Sequence, residues 1–91
     1  MIRRIQRLEV AGGLVLRAKF EDGREVLYDV EEDVREIPDF GPLATVPGLF
    51  AHASLDQSRT CVFWNDMIDL PSDVIYEYGT VVEDGNAQVF L

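Results

Sequence analysis

One cysteine, Cys61, and one histidine, His52, leave this chain little chemistry to work with. A lone thiol closes no internal disulfide, so packing has to hold the fold, as suits a reducing cytoplasm. No apolar run approaches the roughly 18 residues that a membrane-crossing helix needs, so no membrane partner is expected. The N-terminal arginines Arg3, Arg4 and Arg7 are not followed by the apolar stretch of a secretory signal, and none is expected. The sequence holds no Gly-rich phosphate loop, no His/Cys set at metal-ligand spacing and no nucleophile motif. No cofactor is therefore expected. His52 has no Cys, Ser or acid at a telling spacing, and it reads as structural or surface. Cys61 lies in an apolar stretch and reads as a small hydrophobe.

Basic residues are also scarce, and they are unevenly placed. Residues 1–24 carry six (Arg3, Arg4, Arg7, Arg17, Lys19, Arg24) against three acids, a local charge of +3. Residues 25–91 carry two (Arg35, Arg59) against fourteen acids, a local charge of −12, so the chain totals −9. Such a chain is repelled by phosphate and anionic lipid, so nucleic acid is not an expected partner. A basic protein is. The plainer reading of the same charge is a solvated surface that keeps a small protein soluble.

What the sequence does contain is strand pattern. The 91 residues amount to one domain, with roughly 60–65% of the unfolded surface buried on folding. From Leu14 to Phe20 apolar residues alternate with Val15, Arg17 and Lys19, the period of a half-buried strand. Asp22-Gly23 is a hairpin signal. A two-residue loop would set Leu16 against Asp29 and Phe20 against Glu25, which spoils the apolar face. A three-residue loop, Glu21-Asp22-Gly23, instead pairs Phe20 with Arg24, Ala18 with Val26, Leu16 with Tyr28 and Leu14 with Val30. It also sets Lys19 against Glu25, an opposite-charge pair. This second register is expected, with Gly23 in the left-handed conformation of a bulge.

Before this hairpin, residues 3–10 read as a strand, turned back at Gly12-Gly13. Leu8 and Val10 share a face with Leu14 and Leu16. Ile5 is out of step, which calls for a bulge or a covered outer position near Gln6. Arg3, Arg7, Arg17 and Lys19 then fall on the outer, wet face of the sheet. After it, Glu31 to Glu36 reads as one helical turn with acids at its N-terminal end. Phe40, Leu43, Leu49 and Phe50 read as anchors pinning the next connection to the sheet. A second hairpin is expected from Phe50–Leu55 and Thr60–Trp64, turned at Asp56-Gln57-Ser58-Arg59. A two-turn helix is expected over Pro71–Tyr78, with Val74, Ile75 and Tyr78 inward and Gly79 as its stop. The expected whole is α+β: a small antiparallel sheet of two hairpins or a meander, with one short C-terminal helix on one face. Residues 1–78 make the domain. Residues 79–91 make an extension, read as a short hairpin around Asp84-Gly85-Asn86 or a docking tail.

Two groups of residues are candidates for function. Glu31, Glu32, Asp33 and Glu36 belong to the densest acidic stretch and suit a basic partner surface. As a metal site they lack the ligand-loop spacing and placed glycine that calcium loops carry. Trp64, Asp66 and Asp69 form the second group. An aromatic beside carboxylates can hold a sugar or a cation, or do acid–base work. Trp64 could equally anchor the core. Asp66, Asp69 and Asp73 could equally cap and solvate.

The ordered set Leu14-x-Leu16-x-Ala18-x-Phe20-x-Asp22-Gly23, Phe40, Leu43, Leu49–Asp56 and Phe63–Glu77 resembles the small bacterial family catalogued as domain of unknown function 2442. Its most specific part is Trp64, Asp69, Leu70, Asp73 and Tyr76, in order and spacing. The resemblance covers about residues 5–78 and does not extend past Gly79. It implies a small α+β domain with an antiparallel sheet. It carries no established activity and no catalytic residues. It also implies pairing with another small protein, in the manner of a toxin–antitoxin system. Composition, missing motifs and resemblance together lead to a non-enzymatic protein-binding or regulatory module, the acidic partner of a basic protein. The alternative is a ligand-binding or enzymatic domain using the Trp64/Asp66/Asp69 loop. Self-association through the tail or an open sheet edge is the third expectation.

Overall fold

The structure is a computed structural model, and it describes residues 3–82. It is an α+β fold of two antiparallel sheets, with strand orders β1-β2-β3-β7 and β4-β5-β6. The first sheet contains β1 (Ile5–Val10), β2 (Val15–Phe20), β3 (Glu25–Asp29) and β7 (Thr80–Val81). The second contains β4 (Ser54–Leu55), β5 (Cys61–Asn65) and β6 (Ile68–Pro71). Three short helices are α1 (Glu31–Glu36), α2 (Pro42–Thr45) and α3 (Ser72–Tyr78). The candidate tail hairpin at Asp84-Gly85-Asn86 lies outside the described residues. Thr80 and Val81, the start of the expected extension, pair with Leu27 and Val26 and so belong to the main sheet.

The β2–β3 hairpin has the register that its apolar face demands. Ala18 faces Val26, Leu16 faces Tyr28 and Lys19 faces Glu25. The Phe20 N–H donates to the Arg24 carbonyl at 2.8 Å, closing the three-residue loop, and Gly23 has φ +94°. At the far end the Val30 N–H donates to the Leu14 carbonyl at 2.8 Å. Glu25 does not choose Lys19, however. Its carboxylate takes the Arg17 guanidinium, the diagonal neighbour. Arginine reaches further and presents a planar fork that suits a carboxylate.

Strand β1 carries the bulge that Ile5 required, between Ile5 and Arg7. The extra residue turns Ile5 to the inner face, where it is fully buried. The second sheet docks at this point. The Ile5 N–H donates to the Arg59 carbonyl, and Arg59 Nη1 donates to the Gln6 carbonyl, both at 2.8 Å. Ser72 adds a hydroxyl bond to the Arg3 carbonyl. Ile5 and Ser72 are thus buried at one seam, the apolar group packed and the polar group bonded.

The core lies between the sheets. Leu16, Ala18, Phe20, Val26 and Tyr28 come from one, Val62, Trp64, Ile68 and Leu70 from the other, and Ile75 from α3. Of the expected anchors, Phe40, Leu43 and Phe50 are buried and Leu49 is half-buried.

Three expectations need correction. Phe50–His52 is a 3-10 turn rather than strand, and only Ser54–Leu55 pairs with β5. The reason is Trp64. Phe50 stacks on the indole at 5.7 Å, and the indole N–H donates to the Phe50 carbonyl at 3.0 Å, so the chain curls to meet both demands. Next, Ile68–Pro71 is a full strand. Asn65 makes it possible, because its Oδ1 accepts the N–H groups of Met67 and Ile68 at 2.8 and 3.0 Å and forms the turn. Last, Tyr78 points outward and is 75% exposed. The inward side of α3 is Ser72 and Ile75 flanked by half-buried Val74 and Tyr76, so Val74 and Ile75 stand as expected and Tyr76 takes the place of Tyr78.

Candidate functional site

The two candidate groups fare differently in three dimensions. In the Trp64/Asp66/Asp69 loop, strand alternation works against convergence. Val62, Trp64, Ile68 and Leu70 face the core, while Phe63, Asp66 and Asp69 are exposed. Trp64 is 6% exposed, wedged between Phe40 and Phe50, with its N–H satisfied. It is therefore a core anchor and presents no binding face. Asp69 lies opposite Phe63 on the outer face and cannot share a site with the indole. Among the described residues no three His, Cys, Asp or Glu side chains converge as metal ligands. Cys61 is half-buried, and burial pushes its thiol pKa above the ordinary value, which lowers its reactivity at neutral pH.

The acidic group splits. Glu32 and Asp33 line a groove of about 430 Å³ with Leu27, Tyr28, Asp29, Val74, Tyr78 and Thr80. On α3, Val74 and Tyr78 also border a second hollow of about 440 Å³, lined with Asp73 and Glu77. Glu31 turns the other way. It pairs with Arg35 one helical turn on, at 3.8 Å, and lines a separate hollow beside Gly12 and Gly13. Glu36 is exposed and lines neither part of the groove. The two adjoining hollows, taken together as the groove, thus gather Asp29, Glu32, Asp33, Asp73 and Glu77 from three elements, and among the described residues no basic side chain lines them.

Its floor is fixed. The Tyr28 hydroxyl donates to Asp33 Oδ2 at 2.6 Å, across one turn of chain. Burial, then that hydrogen bond and the negative charge of Asp33, hold the Tyr28 phenol well above its usual pKa. Asp29 Oδ1 accepts the Glu31 N–H at 2.9 Å, which sets the entry into α1. Asp29 and Asp33 are thereby positioned by bonds within the chain, while Glu32, Asp73 and Glu77 stay exposed. Tyr78 stands between the two parts of the groove as an exposed aromatic wall.

A second polar cluster sits at the tip of the β2–β3 hairpin. The guanidiniums of Arg3 and Arg24 each lie 4.2 Å from the centre of the Tyr76 ring. Phe20 meets the same ring edge-on at 4.9 Å. The Tyr76 hydroxyl donates to Asp22 Oδ2, and Asp22 Oδ1 accepts the Arg24 N–H. The Tyr76 hydroxyl, then the Arg24 N–H, lower the Asp22 pKa; the same bond to Asp22 raises that of Tyr76.

Of the groove residues, Glu32 and Asp33 were found from charge density. Asp73 reads as part of a carboxylate cluster with Asp66 and Asp69, Tyr78 is expected inward, and Glu77 is not singled out. Helical spacing from Ser72 and Ile75 puts Asp73 and Glu77 on the open side of α3, but Tyr78, three residues on from Ile75, reads as inward, so no local pattern shows its exposure. Comparison with protein-family models, with curated proteins and with solved structures yields no match.

Proposed function

We propose that this chain is a non-enzymatic protein-binding module whose acidic groove receives a basic segment of another protein. The observation that carries this reading is the one-sided lining of the groove. Five carboxylates from β3, α1 and α3 border it, no lysine or arginine among the described residues does, and an exposed tyrosine stands among them. Carboxylates attract a lysine or arginine side chain from a distance, and an aromatic face holds it at contact. Charge complementarity of this kind speeds encounter and selects partners more than it adds raw affinity. The proposal includes a cytoplasmic setting and, as the resemblance implies, a bacterial pair in which this chain is the acidic member. The rival reading, a ligand or catalytic site at Trp64/Asp66/Asp69, has lost its aromatic to the core.

The test is calorimetric titration with two synthetic peptides, one rich in lysine and arginine and one rich in glutamate, at low and moderate salt. The basic peptide is expected to bind, more weakly as salt rises. Glu32→Gln with Asp73→Asn is expected to weaken it at least several-fold. Equal behaviour of the two peptides, or no change in the double variant, would overturn the reading.

A further inference from the structure

The opposite edge of the main sheet has a different character. Strand β1 is its outermost strand, and β7 closes the other side. The Ala11 N–H donates to the Val15 carbonyl, so Ala11 faces β2, and alternation makes Glu9 and Arg7 face it too. Leu8 and Val10, between them, turn their backbone N–H and C=O groups away from the sheet. The free edge ends at the bulge, because Arg59 occupies both the Ile5 N–H and the Gln6 carbonyl. Among the described residues, what remains free is a stretch of four residues, Arg7-Leu8-Glu9-Val10, with Leu8 half-buried and Val10 39% exposed.

This stretch is complementary to itself. We propose that β1 pairs antiparallel with β1 of a second copy, centred on Leu8, so that Arg7 of each copy faces Glu9 of the other. Leu8 then meets its own symmetry mate, and the pair exchanges both backbone hydrogen bonds. The charges fall on the outer face, opposite to Leu8 and Val10, and each basic group meets an acid. A shift of two residues would set Glu9 against Glu9, and like charges directly opposite are unfavourable. A slip of one would mix the apolar and charged faces. The Arg7–Glu9 pair within one chain, 4.0 Å apart and exposed, is too weak to withhold either group. The edge is short, so the dimer is weak and depends on concentration. It also leaves the acidic groove open, since the groove lies beyond β3 at the far side of the sheet. This inference therefore stands or falls separately from the groove.

Sedimentation equilibrium of the full chain over a range of concentrations tests it, with circular dichroism as a check of folding. The wild type is expected to shift from monomer to dimer mass as concentration rises. Glu9→Arg sets Arg7 against arginine and is expected to give monomer. The swap Arg7→Glu with Glu9→Arg restores the complement and is expected to restore the dimer. Leu8→Pro removes the central outward N–H, a change an edge strand tolerates, and is expected to give folded monomer. Monomer mass for the wild type at its highest soluble concentration would overturn the proposal. So would a dimer that survives Glu9→Arg, or a charge swap that fails to restore it.

Discussion

The Tyr76 hydroxyl donates to Asp22 Oδ2 at 2.6 Å, joining helix α3 to a hairpin tip 54 residues away in the chain. Arg3 and Arg24 both lie over the same ring, and Arg3 Nη1 lies 3.9 Å from the same carboxylate oxygen. Four side chains from the N-terminal segment, the hairpin and the helix are thereby tied at one point. Tyr76→Phe keeps the ring beside both guanidiniums and loses only the hydroxyl bond. It is expected to lower the melting temperature slightly. Tyr76→Ala also removes the contact with Phe20 and both cation contacts, and is expected to lower it clearly further. Thermal melts of the two variants side by side check the order.

Trp64 is the chain's one tryptophan and is buried against Phe40 and Phe50. Trp64→Ala is expected to cost about 3–5 kcal/mol, the usual range for emptying so large a core site. A domain of this size has roughly 5–10 kcal/mol in total, so the variant will be partly unfolded on warming. Urea melts followed by circular dichroism measure the loss. In the wild type the indole emission should be blue-shifted and should move red in the same transition.

Gly79 ends α3 with an ordinary φ of −75°, so its need is for space. A Cβ there would lie 2.6 Å from the Ile75 carbonyl oxygen and 3.1 Å from that of Leu27. Backbone atoms yield little, so Gly79→Ala is expected to destabilise by about 1–3 kcal/mol. Denaturant melts give the figure, and no change would contradict the close approach of α3 to β3.

Tyr28 and Asp22 are among the groups that make stability depend on pH at the extremes. Tyr28 has a raised pKa in the folded state, so its contribution is complete below the unfolded value near 10.0 and is lost as pH climbs above it. Tyr28→Phe should flatten the alkaline limb of a stability curve. Asp22 has a lowered pKa, so its contribution is present above the ordinary value of 3.8 and is lost as pH falls below it. Asp22→Asn should flatten the acid limb. Melting temperatures across pH separate the two.

The first hairpin was readable to the residue, because one face is buried and a slip would reverse every side chain. The bulge at Gln6 was readable for the same reason, since Ile5 is apolar and out of step. The second hairpin was not. Phe50 to Leu55 alternates like a strand, yet Phe50 is drawn into a turn by the Trp64 indole, a contact between residues fourteen apart that no local pattern contains. Strand β6 was hidden because Asn65-Asp66-Met67 reads as loop and Pro71 as a helix start. Only the pairing of Ile68 and Leu70 with β5 makes it a strand. At the site, charge density pointed to α1 but could not show that Glu31 turns away while Asp73 and Glu77 approach from α3. That meeting is a product of tertiary packing.

The central claim is that the acidic groove takes a basic segment, and amide chemical-shift mapping tests it most directly. A lysine- and arginine-rich peptide would be titrated into isotope-labelled protein at moderate salt. The account predicts saturable shifts concentrated at Leu27, Glu32, Asp33, Val74, Tyr78 and Thr80, the groove lining. Shifts scattered over every acidic surface, or gathered at Asp66 and Asp69, would contradict it.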